Sequence, residues 1–304
     1  EISACLVGSE MCIRDSVYPA LPRLEGKMEG RENRHSSYIQ TADGTGLYFK
    51  DWGRGPAIVF LHSLGVSNDV WQYQHAHFAE ADYRVVAFDR RGHGRSEQPA
   101  RGYDADTLAD DLAQVIEARA LDGATLIGHS MGCLEIVRYL ARHGSSRVAR
   151  IILVGTTTPS LLKTADNPGG VDGQIVETLR AGWKRDFPRW VVDNARPFVV
   201  PETSQALLES LVANMCQTPV KVVLDCNKTV FWNDFSADCR AVSVPTLIIH
   251  GGRDVSAPID ITARRTAALI RNSRLEIYDD APHGLMFTHQ DRLHADVTRF
   301  VADS

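Results

Sequence analysis

Short, uninterrupted apolar runs that alternate with helix-like segments constrain this sequence more than any other feature. Runs bounded by Gly, Pro, Asp or Ser lie at residues 57–62, 84–89, 124–128, 148–155, 246–251 and 275–278. Such strands are buried on both faces, as in a mostly parallel sheet. Helix-like segments lie at residues 69–79, 106–120, 131–143, 260–270 and 289–302. The alternation predicts an α/β fold, with helices on both faces of a mostly parallel central sheet.

Two segments depart from this alternation. Residues 38–41 and 46–52 flank the turn 42–45, whose Asp-Gly pair predicts a β-hairpin. From about residue 160 to residue 234 there is no strand-like run, and structureless loops of that length are rare in compact domains. The segment therefore predicts a helical lid inserted between two strands. Its helix-like stretches are 173–184, 188–195, 203–215 and 218–228.

The first 37 residues of the chain are not predicted to belong to a folded domain. Residues 6–16 (LVGSEMCIRDS) resemble the in-frame translation of a sequencing adapter, so residues 1–16 are interpreted as an artefact. Residues 17–37 are interpreted as a linker or as read-through. The predicted domain spans residues 38–304 and includes the lid insertion at about 160–234.

The charge balance argues against several classes of partner. The 304 residues carry 33 basic and 38 acidic side chains without a basic cluster, whereas nucleic acids and anionic bilayers require clustered Lys and Arg. No apolar run approaches the roughly 18 residues of a membrane span. Four cysteines lie outside residues 1–16, namely Cys133, Cys216, Cys226 and Cys239. They lack CxxC spacing and are expected to follow no secretory leader, which favours free thiols in the cytoplasm. We expect a cytoplasmic protein with a small-molecule substrate, and its oligomeric state stays open.

The segment Gly128-His129-Ser130-Met131-Gly132 follows one apolar run directly and precedes a helix-like segment. It matches G-x-S-x-G between a strand and a helix, where the pattern forms a sharp turn that projects the serine above the sheet. This context makes Ser130 the candidate nucleophile.

Two further residues fall where a serine nucleophile needs them. Asp254 follows the run 246–251, and His283 follows the run 275–278. The carboxyl ends of parallel strands share one edge of the sheet, where open α/β sheets bind ligands. A serine hydroxyl needs a base, so His283 is expected to accept its proton while Asp254 holds the imidazole tautomer. Asp260, Asp279 and Asp280 are the rival acids.

Attack by a serine on an ester creates an oxyanion, which needs preorganised donors. One is the backbone N–H of Met131, directly after the nucleophile. The other is expected in the loop His62-Ser63-Leu64-Gly65, where we choose the N–H of Leu64 over that of Ser63. Three lid aromatics, Trp183, Phe198 and Trp232, are the candidates for the wall of the substrate pocket.

These motifs resemble the cofactor-free haloperoxidase and aryl esterase group of the α/β-hydrolases. The resemblance covers almost all of residues 38–301 and implies a serine hydrolase that needs neither metal nor cofactor and acts on carboxylic esters. In some members of that group, peroxide replaces water. The matching stretches are DRRGHGRS at 89–96, GHSMG at 128–132, RYLARHG at 138–144, LLKTADNPGG at 161–170, VPTLIIHGGRD at 244–254 and APHGL at 281–285.

The sequence departs from that group in two places. Gly65 stands where the group usually has proline, which argues against perhydrolase and halide-oxidising activity. The loop His-Ser-Leu-Gly is instead similar to that of the enol-lactonases, which makes a lactone an alternative substrate. After the G-x-S-x-G segment, this chain has Cys133-Leu134-Glu135 where the group tends to have small, glycine-rich residues. These three side chains are expected to narrow the base of the pocket.

Three functions follow from these observations. The first is a serine carboxylesterase, or a lactonase of the same mechanism, and the second is a perhydrolase or cofactor-free haloperoxidase. The third is a ligand receptor on a hydrolase scaffold, against which the complete set of Ser130, Asp254 and His283 argues. His75 and His77 are two residues apart and face different ways on a helix, and no HExxH pattern is present, so a metal site is not expected.

Overall fold

A computed structural model describes residues 37–303 of the chain, and these form one compact unit. The predictions for residues 1–36, an artefact followed by a linker, lie outside the described residues. Within 37–303 the strands are β1 (Tyr38–Gln40), β2 (Gly46–Trp52), β3 (Ala57–Leu61), β4 (Arg84–Phe88), β5 (Ala124–His129), β6 (Val148–Val154), β7 (Thr246–Gly251) and β8 (Ser273–Tyr278).

The described strands form one sheet in the order β1-β2-β4-β3-β5-β6-β7-β8. The strands β1 and β2 form the predicted antiparallel hairpin, and β2 is antiparallel to β4. All other neighbouring strands are parallel. The predicted α/β class with a mostly parallel sheet is therefore confirmed.

The described helices complete the two outer layers and the insertion. They are α1 (Gln72–Glu80), α2 (Ala105–Ala118), α3 (Met131–His143), α4 (Gly173–Ala195), α5 (Gln205–Cys216), α6 (Val220–Phe231), α7 (Ser236–Ala241), α8 (Ala263–Leu269), α9 (Leu285–Thr288) and α10 (Gln290–Ala302). Short 3₁₀ turns at Asn68–Trp71 and Arg196–Phe198 precede α1 and follow α4.

The hydrophobic core lies on both faces of the sheet. In β3, Val59 and Leu61 join one apolar cluster with residues of α2 and α3, whereas Ile58 and Phe60 join a second cluster with residues of α1 and α10. Successive side chains of a strand point to opposite faces, so a strand between two cores must be apolar throughout. This explains why the runs in the sequence are continuous.

Between β6 and β7 the chain forms the helices α4 to α7 instead of a strand. Sequence analysis predicts two helices where α4 lies, and α4 is in fact interrupted at Asp186, which has non-helical dihedral angles. The Asp186 carboxylate accepts the N–H of Arg189 at 3.0 Å, as a capping residue does, and Pro188 occupies the first turn of the new segment. We call residues 160–234 the insertion.

Candidate active site

The carboxyl ends of the parallel strands bring the three candidate catalytic residues to one edge of the sheet. Ser130 follows β5, Asp254 follows β7 and His283 follows β8. All three are buried, and Ser130 and His283 line the same cavity. Residues far apart in the sequence thus come to the same edge, because β5, β6, β7 and β8 are consecutive parallel strands of one sheet.

Ser130 lies in a strained turn between β5 and α3. Its backbone has φ 55° and ψ −113°, in the region that favours glycine. The turn needs glycine on both sides of the serine: a Cβ on Gly128 would lie 2.7 Å from the carbonyl of Gly132, and one on Gly132 would lie 2.7 Å from the carbonyl of Leu61. Strain at a functional residue persists only where the surrounding structure enforces it. The close packing of α3 on β3 and β5 does so here.

Asp254 and His283 form a short hydrogen bond, with 2.6 Å between Oδ2 of the carboxylate and Nδ1 of the imidazole. The other carboxylate oxygen accepts the N–H groups of Ser256 at 2.9 Å and Ala257 at 2.8 Å. A carboxylate only accepts, so Nδ1 of His283 donates the proton, and in the neutral imidazole Nε2 is then the basic nitrogen. That tautomer is the one a general base needs.

Electrostatics favour the ionised form of Asp254. Burial acts to raise the pKa of this carboxyl, but the charge of His283 and the hydrogen bonds from His250 and His283 outweigh burial and lower the pKa well below its usual value. His250 Nε2 lies 3.3 Å from Asp254 Oδ2 and 2.8 Å from the carbonyl of Ala257. Asp254 is therefore a permanent negative charge beside His283 at neutral pH.

Two of the rival acids lie in other pairs. Asp260 forms an ion pair with Arg264 at 3.0 Å, and 82% of its side chain is exposed. Asp280 pairs with His289 at 3.3 Å. A pair elsewhere leaves neither carboxylate available to orient His283.

The candidate oxyanion loop, His62 to Gly65, lies beside the nucleophile turn, and Ser63 and Leu64 line the cavity. The Met131 side chain is buried in the core, and its backbone N–H follows Ser130 directly. Gly65 has φ +77°, and its N–H donates to Nε2 of His93 at 3.2 Å. Proline has a fixed negative φ and no N–H, so this loop cannot adopt the proline form as it stands.

Three buried histidines of this edge, His62, His93 and His129, are neutral. Burial, and secondarily the charge of Arg90, lowers the pKa of His62 well below its usual value and that of His93 to about 3. Burial also lowers the pKa of His129, whose ring packs against that of His283 with 4.6 Å between the ring centroids.

Cys133 directly follows Gly132, and its thiol is not a candidate nucleophile. Burial raises the pKa of the Cys133 thiol to about 12, so the thiol stays protonated. None of Cys133, Leu134 and Glu135 lines the cavity, so the expectation that they narrow the base of the pocket is not supported.

The cavity over Ser130 has a volume of about 420 Å³ and is closed on one side by the insertion. The predicted wall residues Trp183 and Phe198 line it. The prediction for Trp232 is corrected, because this side chain is 38% exposed and lies under the guanidinium of Arg180, 5.5 Å from its ring. Its neighbour Phe231 lines the cavity instead.

Sequence reasoning missed the aliphatic part of this wall. Leu179 lies four residues before Trp183 on α4, and this i, i+4 spacing on one helix face is the signal that could have found it. The insertion residues that line the cavity and were not predicted include Leu161, Val171, Leu179, Trp190, Val191, Leu211, Val212, Met215, Val230 and Phe231.

Two further properties concern residues 37–303 as a whole. No three His, Cys, Asp or Glu side chains in this part of the chain come close enough to hold a metal ion. No helix formed by these residues combines the length and the apolar character needed to cross a membrane.

Comparison with known proteins agrees with this architecture. The α/β-hydrolase fold family matches residues 56–198. A non-heme haloperoxidase of Rhodococcus erythropolis is 34% identical over 87% of this chain and 98% of its own length. A bifunctional esterase/perhydrolase of Acinetobacter calcoaceticus is 33% identical over 87% of this chain and 99% of its own.

A solved structure gives the same result. An esterase from Exiguobacterium antarcticum superimposes with a TM-score of 0.85 at 29% identity, covering 88% of this chain and 99% of that one. The resemblance found in the sequence motifs is thereby confirmed. The chain belongs to the α/β-hydrolase family of enzymes, among the relatives of the non-heme haloperoxidases and esterases.

Proposed function

We propose that this protein is a serine hydrolase that cleaves uncharged carboxylic esters through an acyl-enzyme. The observation that carries the proposal is the 2.6 Å hydrogen bond between Asp254 and His283 at the edge of a cavity that Ser130 also lines. In this arrangement the imidazole is oriented with its free nitrogen available to a serine hydroxyl.

The reaction then has two halves. His283 takes the proton of Ser130 as the oxygen attacks the ester carbonyl, and the N–H groups of Met131 and Leu64 stabilise the oxyanion. Collapse of the tetrahedral intermediate expels the alcohol, which takes the proton from His283. Water then gives a proton to His283 and attacks the acyl-enzyme, releasing the carboxylic acid and restoring the Ser130 hydroxyl.

The lining of the cavity supports an uncharged substrate. The described side chains that line it include no Lys, Arg, Asp or Glu, and most are aliphatic or aromatic. Burying a carboxylate without a partner costs several kcal/mol. An ester or lactone with a second, ionised carboxylate is therefore a poor substrate, and an uncharged lactone is the alternative substrate of the same mechanism.

Perhydrolysis, with peroxide in place of water, is the second candidate because a close relative is named an esterase/perhydrolase. The oxyanion loop argues against perhydrolysis as the main activity. Gly65 stands where the haloperoxidase and aryl esterase group usually has proline, and its backbone is left-handed, a conformation that proline cannot adopt. Formation of peracid from acetate and hydrogen peroxide measures this activity directly.

The nucleophile is tested by comparing two serines that line the same cavity. Ser130→Ala should lower kcat for nitrophenyl esters at least about 10⁴-fold and abolish labelling by a fluorophosphonate probe. The matched control Ser256→Ala should keep both, because the Ser256 contact to Asp254 is made by its backbone N–H. Undiminished ester hydrolysis by Ser130→Ala would contradict the proposal.

The substrate class is tested with a panel of nitrophenyl esters of increasing acyl length beside a set of lactones. Within the panel, the nitrophenyl ester of monomethyl adipate should be cleaved at least about 10-fold faster than that of the free half-acid, because only the latter buries a carboxylate. Equal rates for the two esters would show that the charge of the substrate does not matter.

A further inference from the structure

A buried arginine lies directly beneath the candidate oxyanion loop. Arg90 is the first arginine of the stretch DRRGHGRS and is 1% exposed. Its Nη2 donates to the carbonyl of His62 at 2.6 Å, and its Nη1 donates to the carbonyl of Ser63 at 3.0 Å. Two consecutive carbonyl groups of the loop are therefore bound by one planar cation.

These carbonyls belong to the peptide units that supply the candidate oxyanion donors. The carbonyl of Ser63 shares its peptide plane with the N–H of Leu64, and the carbonyl of His62 shares its plane with the N–H of Ser63. In a trans peptide the two groups point in opposite directions. A donor that fixes the carbonyl therefore fixes the direction of the N–H, and hydrogen bonds in series polarise one another.

The loop and the arginine are connected a second time through the His62 ring. The backbone N–H of Arg90 donates to His62 Nε2 at 2.8 Å, and His62 Nδ1 donates to the carbonyl of Ser63 at 2.8 Å. The carbonyl of Ser63 thus accepts from both the His62 ring and the guanidinium. Of the two candidate peptide units, the one that ends in the Leu64 N–H is the more tightly held.

Arg90 is in turn fixed by Glu135. The Arg90 Nε–H donates to the Glu135 carboxylate, and Glu135 is 1% exposed on α3, five residues after Ser130. Both candidate oxyanion donors are thereby attached to one rigid unit, because α3 begins at Met131 and Glu135 binds the arginine that holds the loop. A buried ion pair is costly to form, and it is often no more stabilising than apolar packing.

We propose that Arg90, held by Glu135, is the positioning residue of the oxyanion hole and acts through the carbonyl groups of His62 and Ser63. Arg90 does not touch the substrate. Its effect is to aim the Leu64 N–H at the transition state and to strengthen that donor. The inference rests on the proposed serine hydrolase mechanism.

The chain offers a matched control in the next residue. Arg91 is also 1% exposed and belongs to the same stretch, but its guanidinium binds Asp111 at 2.6 and 2.7 Å and Asp43 at 2.8 Å. It therefore holds α2 and the β-hairpin turn rather than the loop at 62–65. Replacing either arginine with lysine keeps the positive charge but removes the planar fork of donors, and only the change at Arg90 alters the oxyanion loop.

The experiment compares Arg90→Lys with Arg91→Lys. For each variant the melting temperature, kcat and KM for nitrophenyl butyrate, and the affinity for an alkyl boronic acid are measured. The boronic acid is a probe of the oxyanion hole because it forms a tetrahedral adduct on the serine. Both variants should melt at lower temperature than the wild type.

Only Arg90→Lys should lower kcat, by about 10- to 100-fold, since removal of a donor itself costs about 10²- to 10³-fold. The affinity for the boronic acid should fall by a similar factor, with KM changed less than about threefold because the ground state is bound by the apolar wall. Arg91→Lys should keep kcat and boronic acid affinity within about twofold of the wild type.

If Arg90→Lys does not fold, the variant Glu135→Gln tests the same positioning role. Glutamine keeps an acceptor for Arg90 but removes the charge, so kcat should fall by about 3- to 10-fold at unchanged KM. An unchanged kcat in Arg90→Lys or Glu135→Gln would overturn the proposal. Equal losses of kcat in Arg90→Lys and Arg91→Lys, or a rise in KM alone, would do so as well.

These results are distinct from failure of the mechanism. If the fluorophosphonate probe does not label Ser130 in the wild type, the serine hydrolase proposal fails and the inference with it. If the wild type is labelled and hydrolyses esters while the Arg90 variant keeps its kcat, only the role of Arg90 is rejected.

Discussion

The two sides of the cavity are built by opposite means. On the side of the sheet, polar groups such as Asp254, His62, His93 and Arg90 are buried and bound by several hydrogen bonds each. On the side of the insertion, the wall consists mainly of aliphatic and aromatic side chains. Hydrogen bonds fix direction, whereas apolar contact is non-directional. The sheet side is thus suited to chemistry, and the insertion side to the choice of substrate.

The two sides are nevertheless joined at defined points. Asn214 of α5 exchanges two hydrogen bonds with Ser67, both at 2.9 Å, and Thr218 donates to the carbonyl of Gly65 at 2.9 Å. The N–H of Gly284 donates to the carbonyl of Phe198 at 2.8 Å. These bonds lie beside the oxyanion loop and beside His283, so the position of the insertion is specified where it meets the catalytic loops.

The largest expected effect is the loss of the acid on the sheet side. Asp254→Asn should lower kcat about 10⁴-fold at pH 7, because an amide permits the wrong imidazole tautomer and does not stabilise the imidazolium. Asp260→Asn, on the same connection but paired with Arg264, should change kcat less than about twofold. Ester hydrolysis by the two purified variants checks this. A large loss in Asp260→Asn instead would assign the acid to the rival residue.

Two buried histidines differ in whether their ring nitrogens have hydrogen-bond partners, and this difference should decide the effect of each on stability. His75 and His93 are both fully buried, and burial lowers the pKa of each to about 3. His93 has a partner at both ring nitrogens, whereas neither ring nitrogen of His75 has one among the described residues. At pH 7, His75→Leu should raise the free energy of unfolding by about 1 kcal/mol and His93→Leu should lower it by about 2 to 4 kcal/mol.

The pH dependence of these variants follows from the direction of the shift. Each folded-state pKa lies below the ordinary value of 6.5, so the unfolded chain binds a proton first and stability falls as the pH falls from 6.5 toward 3. The variant His75→Leu lacks this destabilising group. Its gain in free energy of unfolding over the wild type should therefore grow by about 1.4 kcal/mol for each pH unit below 6.5. Urea unfolding of the wild type and of His75→Leu at pH 7 and pH 5 measures this gain. The same gain at both pH values would refute the lowered pKa of His75.

The smallest effect is expected on the insertion side, from a pair of tryptophans. Trp183→Phe enlarges the cavity and should shift the ratio of kcat/KM for long over short acyl chains by about 3- to 10-fold, with kcat for nitrophenyl acetate almost unchanged. Trp232→Phe should leave this ratio unaltered, because Trp232 does not line the cavity. A loss of kcat in Trp183→Phe would show that the insertion takes part in the chemistry.

The strands of the fold were predictable because their signal is local. A strand packed between two cores requires a continuous apolar run, and each such run of the sequence is a strand of the parallel sheet. Helix boundaries were less accurate. The segment predicted as one helix at 260–270 is helical only at Ala263–Leu269, and α7 (Ser236–Ala241) was not predicted at all. A six-residue helix shows too little periodicity to be recognised.

The neighbourhood of the candidate catalytic residues was predictable as well. Gly128 and Gly132 are required by the close approach of α3 to the strands, and this makes the G-x-S-x-G pattern specific for such a turn. Parallel strands then place Asp254 and His283 at the same edge, since the sheet order leaves their loops side by side. Their roles in catalysis remain predictions for the experiments above.

The sequence by itself determined the α/β class, the strained serine turn and the set of loops that could reach it, because each depends on patterns within a few residues. Only the tertiary structure decided that Phe231 rather than Trp232 lines the cavity. Neighbours on a helix differ by about 100° in direction, and packing sets the rotation of the helix. Only the tertiary structure, likewise, joined Arg90 to Glu135 and to the carbonyl groups of the oxyanion loop, because buried polar groups find partners in space and not along the chain.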